Sequence, residues 1–131
     1  MKEIEEKYQE ITYKIIGCAM EVHNTLGCGF LEYVYHEALE YELKKAGINY
    51  EHEKELRIPY KDIILERRYR VDFVIENEVA VEIKAEKKLS EADEAILINY
   101  LNAGKLDIGL LINFAESKVK YQRYVNRRYL S

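Results

Sequence analysis

Proline and cysteine are scarce in this chain, and it has no long apolar run. With one proline, Pro59, and 6 glycines in 131 residues, collagen-like, mucin-like and linker readings fail. No stretch approaches the ~20 apolar residues that cross a bilayer, so no membrane partner is expected. The first residues, MKEIEEKYQE, lack the apolar segment of a secretory signal. Two cysteines, Cys18 and Cys28, do not make a disulfide framework. Reduced thiols and a cytoplasmic location are therefore expected. Cys18, His23 and Cys28 match no common zinc spacing, and His23, His36 and His52 share no ligand spacing. A phosphate-cradling glycine loop, a nucleophile elbow and a Walker pattern are all missing.

What is present is enough to fold. The chain is 48% hydrophobic and 34% charged, and its length fits one domain over residues 1–131. The net charge of −4 argues against a general nucleic-acid coat. The charge is unevenly placed, because residues 105–131 hold 6 basic and 2 acidic side chains, a local balance of +4. Lys118, Lys120, Arg123, Arg127 and Arg128 there read either as a phosphate footprint or as a solvated basic tail.

Ile4, Tyr8, Ile11, Ile15, Cys18 and Val22 recur at 4-3-4-3-4 spacing and predict a long amphipathic helix. The stripe suits core packing, with a homodimer through this helix as the alternative. A second helix is expected from Leu31 to Ala46, with Leu31, Tyr35, Ala38, Leu39 and Leu43 inward and Gly47 as its stop. From Ile48 the period becomes 2, predicting a strand to Ile58 and a turn at Pro59-Tyr60-Lys61-Asp62. One long strand or two short ones follow to Ile75, then a strand from Val79 to Lys84. Together these form an antiparallel meander. Ser90 fits a helix N-cap, with Glu91, Asp93 and Glu94 facing the helix dipole and Gly104 as the stop. Ile108 to Asn113 reads as a central strand and Val119 to Val125 as an edge strand. The 12 tyrosines are assigned to packing.

The chemistry-bearing pattern is Asp72 followed by Glu82-Ile83-Lys84. A two-residue turn at Asn77-Glu78 would set Asp72 opposite Ile83. A three-residue turn, Glu76-Asn77-Glu78, sets it opposite Glu82 on the same face. The three-residue register is expected, with Asn77 or Glu78 left-handed and with Val71, Phe73, Val81 and Ile83 together on the core face. Two carboxylates so placed repel each other, and a divalent cation would reverse that sign. Mg²⁺, or Mn²⁺ in its place, takes such oxygen ligands. Lys84 projects to the same face, where an ammonium can stabilise charge developing on a phosphate. Arg68 and Arg70 alternate onto the Asp72 face, and Lys87 and Lys88 follow it. All four are candidates for holding phosphates.

Gly29-Phe30-Leu31-Glu32-Tyr33-Val34-Tyr35 resembles the signature of the GxxExxY proteins. The likeness continues through Ala38-Leu39, Glu42-Leu43, Gly47, Tyr69-Arg70-Val71-Asp72, Val81-Glu82-Ile83-Lys84, Asn99-Tyr100-Leu101 and Gly109 to Phe114. That family is grouped with the PD-(D/E)XK nuclease-like superfamily. The resemblance implies a restriction-endonuclease-like α/β (α+β) fold, a mixed sheet flanked by helices in the order ααβββαββ. It implies metal binding by Asp72 and Glu82, a water positioned by Lys84, and a further acidic group from Glu32. Tyr35 and Tyr100 would stand behind the site. Ile96 occupies a position where the family usually carries Gln. The implied activity is Mg²⁺-dependent phosphodiester hydrolysis, with DNA as the expected partner. The alternative is a catalytically silent module that keeps the fold and binds a protein or nucleic-acid partner.

Overall fold

The structure is a computed structural model that describes residues 2–126. Arg127 and Arg128 of the basic end lie outside the described residues, as does the side chain of Ile4. Three helices and five strands follow one another as α1 (Lys2–Leu26), α2 (Glu32–Lys45), β1 (Tyr50–Tyr60), β2 (Ile63–Ile75), β3 (Val79–Lys84), α3 (Glu91–Gly104), β4 (Ile108–Asn113) and β5 (Lys120–Val125). This is the expected ααβββαββ order. One mixed sheet runs β1-β2-β3-β4-β5. Among the described residues only β3 and β4 pair in parallel, and α3 supplies the crossover that a parallel pair needs.

The sheet is covered on both faces. Tyr8, Ile15 and Val22 of α1 and Tyr35, Leu39 and Leu43 of α2 bury against Phe73, Val81, Ile83 and Ile112. The α1 stripe is thus consumed by the core, so the structure gives no support to a homodimer through that helix. On the opposite face, Leu97 and Leu101 of α3 pack on Val74, Ala80 and Leu111. Among the described residues no helix is long and apolar enough to cross a membrane. Leu31, expected on the inner face of α2, is exposed because it sits at the N-cap, before the helical stripe begins. The packing assignment also fails for Tyr13, Tyr33, Tyr41, Tyr60 and Tyr121, whose rings are exposed.

Turn chemistry departs from expectation in two places. Pro59 and Tyr60 stay in β1, with a register shift between Arg57 and Pro59. An edge strand tolerates a residue that cannot donate, so the turn tightens to Lys61-Asp62, with Lys61 at φ 53°. Gly104 is still helical, and α3 is instead ended by Lys105 in the left-handed conformation.

Asp72 is set in place by a change of face. Across the β1–β2 pair, His52 faces Phe73 and Lys54 faces Val71, leaving Glu53 and Asp72 as one skipped pair in a register that is constant from Tyr50 to Arg57. Glu53 is left-handed, at φ 53°. On one side of this break the His52 and Phe73 rings meet at a tilt on the α2 face, their centroids 4.7 Å apart. On the other side Val71 and Leu56 belong to the α3 cluster. Strict alternation would have kept Val71 with Phe73. Val71 instead joins the α3 cluster, which corrects the expected core face, and the break lies opposite the left-handed Glu53. A non-glycine residue held there costs about 1–3 kcal/mol.

Gly109 of β4 lies directly under Leu97 and Leu101 of α3. A Cβ there would lie 3.1 Å from Leu97 and 3.2 Å from Leu101. Gly109→Val is expected to lower stability by about 1–3 kcal/mol, read as a lower midpoint in urea unfolding. An unchanged midpoint would mean that the helix can move off the sheet at little cost.

Candidate active site

The β2–β3 hairpin has the three-residue register. Ile75 pairs with Val79 and Phe73 with Val81, and the turn is made by left-handed Glu76 and Asn77 rather than by Glu78. The backbone ladder stops at Phe73 and Val81. Beyond it the two carboxylates take over the backbone donors. The Asp72 N–H donates to Glu82 Oε1 at 2.8 Å, and the Ile83 N–H donates to Asp72 Oδ2 at 2.7 Å. Each carboxylate keeps its second oxygen for another partner.

Burial makes this pair unstable as two anions. It pushes the Glu82 carboxyl up to about 8, and the neighbouring Asp72 charge pushes the same way. Asp72 is also raised by burial, against the lowering effects of the Ile83 N–H, His36 and Lys84. A positive charge is therefore what the site lacks.

Lys84 lies on the same side. Its Nζ is 3.8 Å from Asp93 Oδ1, and its charge lowers both carboxyls. Asp93 closes a capping box with Ser90, accepting from the Ser90 N–H at 3.0 Å while Ser90 Oγ accepts from the Asp93 N–H at 3.2 Å. One carboxylate thus starts α3 and faces Lys84. Burial works to raise Asp93, but the Ser90 N–H, hydrogen bonds from Glu86 and Ser90, and Lys84 outweigh it and hold it low. Tyr100 is raised by burial and then by the Glu82 and Asp72 charges, which places its hydroxyl within their field. Ile96, one turn earlier on α3, is 40% exposed and so serves no core.

Helix α2 presents a polar stripe at four-residue spacing. Glu32 Oε2 and Asp72 Oδ2 stand 3.6 and 3.5 Å from His36 Nε2, so Glu32 does reach the carboxylate cluster. Tyr35 does not turn that way. Its ring stacks on Phe114 at 4.7 Å, and its hydroxyl donates to the Gly27 carbonyl at 2.6 Å and accepts from the Phe30 N–H. It secures the loop from which Glu32 starts the helix. Asn113 performs the same service across the site. It is buried beside Lys84, accepts from the Glu86 N–H and donates to the Glu86 carbonyl. These bonds fix the loop that carries Lys87 and Lys88, both exposed. Arg68 and Arg70 are partly neutralised, by Glu55 at 3.0 Å and Glu53 at 3.6 Å.

A model of the PD-(D/E)XK nuclease superfamily matches residues 9–127. The chain belongs to that superfamily. The matched span contains Asp72 and Glu82-Ile83-Lys84, with Val71 before Asp72. No curated protein matches the chain. Three solved chains do, among them the crystal structure of SSO0001, at 18% identity and a TM-score of 0.60 over 95% of this chain and 62% of that one. At that identity the likeness is one of fold. The chain spans just under two thirds of SSO0001.

Sequence spacing passed over His36, His52, Asp93 and Glu86. Two signals were available: His36 lies four residues after Glu32 on one helix, and Ser90-x-x-Asp93 is a capping box.

A group raised on folding stabilises the fold below its unfolded value and loses that contribution as pH rises through its folded value. Glu82, ordinarily near 4.5 and here about 8, is therefore expected to cost the metal-free PD-(D/E)XK protein stability between pH 5 and 8. Thermal melts across that range should fall for wild type and flatten for Glu82→Gln. Parallel curves would show that Glu82 titrates normally.

Proposed function

We propose that this chain is a Mg²⁺- or Mn²⁺-dependent nuclease that hydrolyses phosphodiester bonds in DNA. The observation that carries the reading is the buried Asp72–Glu82 pair with Lys84 beside it. The donor set fits a hard divalent cation. Two carboxylates with one uncommitted oxygen each converge with Glu32, and their raised carboxyls mark a deficit of positive charge. Asp72 and Glu82 would hold the ion, with Glu32 at its edge. When bound, the cation supplies Lewis acidity at the scissile phosphate.

The chain's own residues do the rest. Lys84, held beside Asp93, places an ammonium where a phosphate gains negative charge and can orient the attacking water. Tyr100 lines the same side. Arg68, Arg70, Lys87 and Lys88 are the groups proposed to hold flanking phosphates, with Arg68 and Arg70 exchanging a carboxylate for a phosphate. The free thiols of Cys18 and Cys28 suit a reducing, cytoplasmic setting. Ile96 favours a second reading, a silent module that binds nucleic acid without cutting it, because an alkyl side chain cannot hydrogen-bond a phosphate.

The decisive test is nicking of supercoiled plasmid with Mg²⁺, Mn²⁺ or EDTA. Wild type should cut only with metal, and Asp72→Ala and Lys84→Ala should lose at least 100-fold in rate, the scale of a lost electrostatic group. Metal-independent cutting, or equal cutting by the variants, would sink the nuclease reading. Binding of DNA without cutting would favour the silent module.

Metal-dependent melting offers a second check. A hundredfold excess of Mg²⁺ over its dissociation constant should stabilise wild type by about 2.7 kcal/mol, and Asp72→Ala should show no gain. Equal gains would place the cation elsewhere.

A further inference from the structure

Beside the carboxylates lies a cluster that the proposed chemistry does not use. A cavity of about 420 Å³ opens between α2 and the β1–β2 pair, with Glu32 and Asp72 at its carboxylate end and His36, Glu40, His52 and Glu53 on the rest of its wall. Within it His36 Nδ1 and His52 Nε2 face each other at 2.9 Å. A Glu53 carboxylate oxygen lies 3.9 Å from His52 Nε2. One atom from each of the three residues falls within 4.8 Å of the others.

We propose that His36, His52 and Glu53 form a second cation site, selective for a nitrogen-seeking transition ion of the Zn²⁺ class rather than for Mg²⁺. Two imidazoles and one carboxylate are donors that favour such ions. The two nitrogens stand at a separation that two Zn–N bonds of about 2.0–2.1 Å span at close to a right angle, and a small opening gives the tetrahedral angle.

The outer nitrogens of both rings have the partners that metal-binding imidazoles use. His52 Nδ1 has Glu40 Oε2 at 3.4 Å. His36 Nε2 has Asp72 Oδ2 at 3.5 Å and Glu32 Oε2 at 3.6 Å. The inner nitrogens hydrogen-bond each other in the metal-free protein, so an ion would displace the proton they share, and the carboxylate behind each ring is placed to accept the outer N–H once the inner lone pairs turn to the metal.

The backbone adds an independent observation. Neighbouring residues on a strand point to opposite faces, so His52 and Glu53 would not share a cavity in regular β1. They do so because Glu53 is left-handed at φ 53° and its pair with Asp72 is missing from the ladder. A strained non-glycine residue that turns a carboxylate towards two imidazoles is a feature a ligand site explains. Arg70, 3.6 Å from Glu53, is the resident cation that would give way. His52 and Glu53 have side chains 24% and 51% exposed, so an ion can enter from solvent.

The test is titration of metal-free protein with Co²⁺, followed by visible absorption, and with Zn²⁺, followed by calorimetry. Wild type, His52→Ala, Glu53→Gln and Glu82→Gln would be compared. Wild type should bind one Co²⁺ with the intense bands of low coordination, and excess Mg²⁺ should not displace it. Zn²⁺ affinity should fall at least tenfold in Glu53→Gln and further in His52→Ala. Glu82→Gln should keep the Zn²⁺ site while losing the Mg²⁺-dependent rise in melting temperature, so the two sites can fail separately. Glu53 is exposed, so Glu53→Gln should fold even if His52→Ala does not. The proposal is overturned if Glu82→Gln abolishes Zn²⁺ binding while Glu53→Gln leaves it intact, or if wild type binds no Zn²⁺ or Co²⁺.

Discussion

Where the β2–β3 ladder ends, two carboxylates replace the next backbone partners, and the rest of the site is arranged around that exchange. Glu82 accepts from the Asp72 N–H and Asp72 from the Ile83 N–H. The strands therefore remain joined after their main chains have stopped pairing. The exchange draws two acidic groups out of water and into each other's field. It also gives the hairpin a local dependence on positive charge that an ordinary ladder would not have.

That dependence is met unequally by the surrounding elements. β3 brings Lys84 directly, and its parallel neighbour β4 brings Asn113 alongside it. The Asn113 amide holds both polar groups of the Glu86 backbone, so the loop leaving the site cannot drift. α3 begins at this loop with the Ser90–Asp93 box. From α2 come Glu32 and His36, a turn apart, while the core-facing stripe of Tyr35, Leu39 and Leu43 anchors the same helix. Tyr35 links the two tasks. Its buried ring fixes the helix, and its hydroxyl fixes the loop that sets where Glu32 starts.

Most of this frame was legible before any coordinates. The turn length after Ile75 decides the β2–β3 register, because only one register buries Val81 and Ile83 with Phe73 and brings Asp72 to Glu82. The buried run Ile108–Asn113 could only be an inner strand. The change of face at Glu53 and Asp72 was not legible. Glycine or asparagine announces a left-handed residue, whereas glutamate there is against local preference and is imposed by tertiary contacts. At that break Val71 joins the α3 cluster, and Glu53 stands beside His52. The histidines went unread for the same reason. His36 and His52 are 16 residues apart on different elements, and no sequence spacing encodes their meeting.

The position of Ile96 bears on how this chain differs from a motif-complete relative. Its side chain is 40% exposed on α3, so apolar packing does not explain it, and it brings no amide towards the carboxylates. One turn before it, Asp93 faces Lys84; one turn after it, Tyr100 lies in the field of Glu82 and Asp72. The helix therefore still presents polar groups on both sides of the missing amide. Asp93 is an acceptor only and cannot donate to a phosphate, as an amide could. Its effect must pass through the Lys84 ammonium. In the proposed nuclease, donors to a bound phosphate would then have to come from Lys84, Tyr100, Arg68, Arg70 and the exposed Lys87 and Lys88. Geometry at the scissile group would rest more on charge than on directed hydrogen bonds, and such a site tolerates variation in substrate shape better than an amide-fixed one.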